Sequence, residues 1–98
     1  MLKKSKIKGK NEVKVTFVLP EDHPNIPASV VGDFNDWNPS ANKLIKRSNQ
    51  TYSTAVKLRK GQTYSFRYRS RDGIWFNDDA PDGFEANEHG SQNCILNT

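Results

Sequence analysis

Apolar residues in this chain alternate with polar ones, and no stretch carries a good helical period. Val13, Val15, Phe17 and Leu19 alternate with Lys14, Thr16 and Val18 until Pro20 ends the run. Tyr52, Thr54, Val56 and Leu58 form one face of a second such stretch, with Ser53, Ala55 and Lys57 on the other. Tyr64, Phe66 and Tyr68 repeat the pattern against Ser65, Arg67 and Arg69. A period of two puts alternate side chains on opposite faces of an extended chain, so each run reads as a half-buried strand. Shorter strands are expected at Ala28-Ser29-Val30-Val31, ended by Gly32, at Lys43-Leu44-Ile45-Lys46, at Ile74-Trp75-Phe76 after the Asp72-Gly73 turn, and at Asn93 to Leu96. A Pro/Gly/Asp/Asn-rich loop is expected from Asn77 to Gly90, long for a compact domain and therefore a place to look for function. Six or seven short strands separated by turn chemistry, with no helix, predict an all-β sandwich.

A chain of 98 residues makes one domain. Its net charge of +4 is uneven, because Lys3, Lys4, Lys6, Lys8 and Lys10 crowd the first ten residues. Residues 11–98 hold ten basic and eleven acidic side chains, a net of −1. Residues 1–10 are accordingly expected to be a disordered basic tail and residues 11–98 the folded sandwich. The body is not a basic nucleic-acid binder. Apolar runs are too short to span a membrane, and no apolar stretch follows the basic N-terminus as a secretory signal requires. The single Cys94 has no partner for a disulfide and lies beside Ile95 and Leu96, which predicts core packing and suits a reducing, cytoplasmic setting.

The residue patterns that catalysis needs are missing. Asp78, Asp79, Asp82, Glu85 and Glu88 supply carboxyls, but in a hydrophilic stretch where they read as solvated loop acids rather than a glycosidase pair. His23 and His89 with one Cys form no zinc pattern. Asp33-Phe34-Asn35-Asp36-Trp37-Asn38 opens like a calcium loop but fails at its fifth and sixth positions. There is no phosphate-cradling glycine loop and no nucleophile elbow. Binding without catalysis, and without cofactor or metal, is the expectation.

Both tryptophans sit among loop formers, in Gly32-Asp33-Phe34-Asn35-Asp36-Trp37-Asn38-Pro39 and in Asp72-Gly73-Ile74-Trp75. A flat indole held in a surface loop beside amides and carboxylates suits a ligand with an apolar face and a polar rim, as a sugar ring has. The alternative is that each caps one end of a small core.

These segments, with Tyr64-Ser65-Phe66-Arg67-Tyr68 and Asn87-Glu88-His89-Gly90-Ser91-Gln92-Asn93 following in order, resemble carbohydrate-binding modules of the glycogen-binding type. Such modules occur at the N-termini of isoamylases and branching enzymes and in the β-subunits of AMP-activated kinases. The resemblance covers roughly residues 12–97. It implies an immunoglobulin-like β-sandwich of the early-set type that binds α-1,4-glucan or maltooligosaccharide. It also implies stacking of glucose on Trp37 and Trp75, with hydroxyls held by Arg67, Ser91 and Asn93. A glucan-metabolising enzyme is an implied partner, and a regulatory adaptor with little sugar affinity is the alternative role. The chain departs from the pattern twice: the segment between Tyr68 and Gly73 is about one residue longer, and His89 stands where kinase-type members carry an apolar residue.

Overall fold

The computed structural model describes all residues, Met1–Thr98, as nine strands and one short 3-10 turn. The strands are β1 (Leu2–Lys6), β2 (Glu12–Pro20), β3 (Ala28–Gly32), β4 (Ile45–Lys46), β5 (Thr51–Arg59), β6 (Thr63–Ser70), β7 (Trp75–Phe76), β8 (Gly83–Ala86) and β9 (Gln92–Asn97), with the turn at Asp33–Asn35 between β3 and β4. All pairings are antiparallel. One sheet runs β1-β2-β5-β4 and the other β3-β6-β9-β8, with β7 paired to β6. This is the two-sheet sandwich that the alternation predicts.

The inward faces are those read from the sequence. Val13, Val15, Phe17, Leu19 and Leu58 come from one sheet, and Ala28, Val30, Phe66, Tyr68, Cys94 and Leu96 from the other. Leu44 completes this buried cluster. Phe17 is its centre, with ring centroids 5.2 Å from Phe66, 5.6 Å from Phe34 and 6.5 Å from Tyr68. Each such side chain contributes about 1.5–3 kcal/mol by leaving water. Cys94 packs in this core as expected, and burial pushes its thiol up to about 11.

Four expectations are corrected. Residues 1–10 are not a disordered tail. Leu2–Lys6 forms an edge strand on β2, with Leu2 opposite Phe17 and packed against the core. Gly9, at φ 75°, turns the hairpin, and Lys4 reaches Asp82. The lysines cover an exposed sheet edge, a common way for charge to discourage edge-to-edge pairing. Next, Asn77–Gly90 is not a structureless loop, because Gly83–Ala86 forms β8 on β9. Nor are its acids all solvated. Asp78 is buried and accepts hydrogen bonds from the Tyr68 hydroxyl at 2.6 Å and the Met1 amino group at 2.7 Å. Burial first, then the Asp78 charge, raise the Tyr68 hydroxyl well above its ordinary range. Finally, the expected strand at residues 43–46 is split: Ile45–Lys46 pairs with β5, while Lys43 bridges to Ser29 on the opposite sheet.

Candidate functional site

The stretch from Gly32 to Trp37 is built residue by residue. Gly32 ends β3 where an added Cβ would lie 2.5 Å from the Ser65 carbonyl oxygen and 2.9 Å from the Phe66 Cβ, so only glycine fits. Phe34 turns inward onto Phe17. Asn35 ties the corner together: its Oδ1 accepts the Gly32 amide at 3.0 Å, and its Nδ2 donates to the Val30 carbonyl at 3.0 Å and to Asn42 Oδ1 at 2.8 Å. Asp33 Oδ2 accepts the Ser65 amide at 2.8 Å, and its Oδ1 accepts Trp37 Nε1 at 3.2 Å. The carboxylate thereby anchors the indole to β6. Asp36 and Trp37 both lie in the left-handed region, at φ 55° and 58°. Two consecutive non-glycine residues there are costly, and such strain gathers where a side chain must point in a set direction.

Trp75 reaches the same surface from β7. It lies directly opposite Arg69 of β6 and is 42% exposed. The guanidinium carbons of Arg67 and Arg69 stand 5.9 Å and 5.4 Å from its ring centre, both within cation–π range. Arg67 Nε donates to Asn77 Oδ1 at 2.7 Å, and Asn77 Nδ2 donates to the Gln92 carbonyl at 2.9 Å. This fixes the Arg67 stem and leaves its terminal NH₂ groups without a protein partner. Asn87 holds the β8–β9 turn, with its Oδ1 accepting the His89 and Ser91 amides at 2.9 and 3.1 Å. Its Nδ2 donates to Asn93 Oδ1 at 3.2 Å, so the Asn93 Nδ2 stays free to donate elsewhere.

Trp37, Trp75, Arg67 and Asn93 thus come from four separate places in the chain and line one open groove of about 670 Å³. Asn87, Glu88 and His89 close its other side. The His89 Nε2 lies 3.6 Å from Glu88 Oε1, and both side chains are highly exposed. Ser91 does not line the groove; it is exposed on the turn and tied to Asn87 through its backbone. Asn87, Glu88 and His89 were not picked out as site residues from the sequence. The signal for them was the Asn-Glu-His-Gly turn, which reads as a hairpin connection and says nothing of which way it leans. The groove offers two partly exposed indoles, free amide and guanidinium donors, and an acid–imidazole pair at the rim. Such a lining suits an uncharged, hydroxyl-rich ligand with apolar faces.

No protein-family model matches the chain. It is similar to a stretch of the amylopullulanase of Thermoanaerobacter thermohydrosulfuricus, 32% identical over 84 residues. The match takes in 82% of this chain and only 5% of that protein.

Proposed function

We propose that this domain is a non-catalytic module that binds α-1,4-glucan chains such as glycogen, starch-like polymer or maltooligosaccharides. The observation that carries the reading is the convergence of Trp37, Trp75, Arg67 and Asn93 on one groove. Its similarity to a small part of a glucan-active enzyme supports the same ligand class, since a stretch of that size is on the scale of an appended module. The carboxyls of the groove are those of Glu88 alone, where acid–base hydrolysis of a glycosidic bond ordinarily uses two.

Recognition would work by stacking and hydroxyl capture. Each glucose face laid on an indole removes apolar area from water at ~25 cal/mol per Å². The free guanidinium of Arg67 and amide of Asn93 replace water on the hydroxyls, each worth about 0.5–1.5 kcal/mol, and up to ~3 where charge is involved. Ordering the sugar chain offsets much of this, so a Kd on the order of micromolar to millimolar follows. Repeated weak contacts along a polymer would still retain the domain by avidity.

The test is a titration with maltoheptaose followed by tryptophan fluorescence. Saturable change is expected, with little dependence on salt because a neutral sugar releases no counterions. Absence of any fluorescence or amide chemical-shift change at millimolar maltoheptaose would reject the reading and favour a regulatory adaptor without sugar affinity.

A further inference from the structure

A second hollow, of about 380 Å³, is lined by residues of β3, the end of β6 and the segment around Lys43 that bridges to Ser29. Its walls include Lys43, Arg69 and Arg71, with no carboxylate among them. The ion pairs of the molecule lie elsewhere, at Met1–Asp78, Lys4–Asp82 and Lys46–Glu21, so these three cations are unpaired. Strand register puts the components in a row. Lys43 is opposite Ser29, Ser29 is opposite Arg69, and Arg69 is opposite Trp75. Cross-strand partners project to the same side, with Cα atoms about 4.5–5.5 Å apart. Ser29 is buried at the middle of the row and lines the hollow with its neighbours. Arg69 links the two places: it lines the hollow, and its guanidinium carbon stands 5.4 Å from the Trp75 ring centre.

We infer that this hollow is an anion-binding subsite for a phosphate monoester carried on a glucose residue of the bound chain. The inference rests on the glucan reading for its sugar and on the Lys43–Ser29–Arg69–Trp75 row for its phosphate. A sugar ring seated at Trp75 would lie beside Arg69, whose guanidinium carbon stands 5.4 Å from the indole's ring centre. Guanidinium groups match phosphate oxygens in a two-point fork. Three unpaired cations and a hydroxyl donor suit a dianion better than a singly charged carboxylate. The hollow would therefore tell a phosphorylated chain from a plain one, while the groove holds both.

The experiment compares maltoheptaose with maltoheptaose bearing one 6-phosphate ester, using the intact chain and its Lys43→Gln/Arg71→Gln double variant. Neither substituted residue lines the groove, so plain maltoheptaose should bind both proteins alike, which also reports that the variant is folded. The phosphorylated chain should bind the parent about ten-fold tighter or more, from charge-assisted hydrogen bonds. That gain should vanish in the double variant and shrink steeply with added salt. Equal binding of the two sugars by the parent, or a gain that survives in the double variant, would overturn the inference while leaving the glucan reading intact. Failure of plain maltoheptaose to bind would instead strike the glucan reading. Glucose 6-phosphate or inorganic phosphate displacing the phosphorylated heptamer at equal concentration would show a site for a free anion and overturn the link to the chain.

Discussion

Replacing Trp75 by alanine separates a ligand platform from a core cap, because the two roles load the indole's free energy on different measurements. A tryptophan side chain presents about 250 Å², and the 42% that is exposed leaves on the order of 100 Å² for a ligand. Covering all of it at ~25 cal/mol per Å² gives about 2.5 kcal/mol, and covering one face about half that. Trp75→Ala should therefore weaken maltoheptaose roughly eight- to seventy-fold, taking a weak ligand out of the measurable range. The buried remainder, on the order of 150 Å², gives an upper bound of about 3.8 kcal/mol of stability. An extended reference chain overstates that figure by 10–40%, and an open groove leaves no enclosed cavity, so a cost of about 2 kcal/mol is expected. A fully buried Trp would cost about 3–5 kcal/mol. For a chain this short, the predicted loss corresponds to a fall in Tm of roughly 10 °C. The variant also leaves Trp37 as the only tryptophan, so the same titration, excited selectively at the indole, reports whether the other half of the groove still sees sugar. Affinity unchanged within two-fold in a folded variant would refute the platform role. A stability loss of a core residue's size would refute the area argument.

Three further outcomes are expected. Gly32→Ala should lower stability sharply, by several kcal/mol, because the new methyl meets a backbone carbonyl that cannot move without breaking the β3–β6 ladder; thermal melting checks this. Trp37→Gly should be more stable than Trp37→Ala, by about 1 kcal/mol, because only glycine relaxes the left-handed backbone, while both variants should lose sugar binding; equal melting curves would show that the backbone there is unstrained. Desolvation pushes the Asp82 carboxyl up, but its hydrogen bonds from the Asn97 amide and Lys4, with the Lys4 charge, outweigh that and hold it below its ordinary value. Its stabilising contribution is therefore complete above the unfolded value near pH 4 and is lost as pH falls through the folded one. Urea midpoints should drop below about pH 4, and Lys4→Ala should flatten that acid limb; a limb unchanged in the variant would assign it to other carboxylates.

The alternation in β2, β5 and β6 was legible because a period of two survives any detail of the turns, and it placed Phe17, Phe66 and Tyr68 inside correctly. The first ten residues were not legible. A lysine run has no local drive to fold, and Leu2–Lys6 becomes a strand only because β2 offers a free edge and Asp82, far along the chain, meets Lys4. Asp78 misled for the same reason. Its neighbours are loop formers, and its burial depends on Tyr68, ten residues earlier in the chain. Trp37, Trp75, Arg67 and Asn93 could be named from the motifs, but that they share a groove depends on register. The β8–β9 turn brings Asn87 and His89 beside them, and nothing local in those residues points there.

The polar residues around the groove act as a frame more than as contacts. Asp33 spans Trp37 and the β6 backbone, Asn35 locks the β3 corner, Asn77 joins Arg67 to β9, and Asn87 joins the last turn to Asn93. Each has a short side chain whose two polar atoms meet partners on different segments, which fixes an orientation that apolar packing at a sheet's end would leave loose. Such prior ordering matters most for a weak ligand, since any freedom left in the indoles or the guanidinium would be charged against a small gain. It also explains why the motif is rich in Asp and Asn although most of these side chains do not line the groove. They are the residues that turn a sandwich surface into a rigid shape, and the tryptophans are what that shape presents.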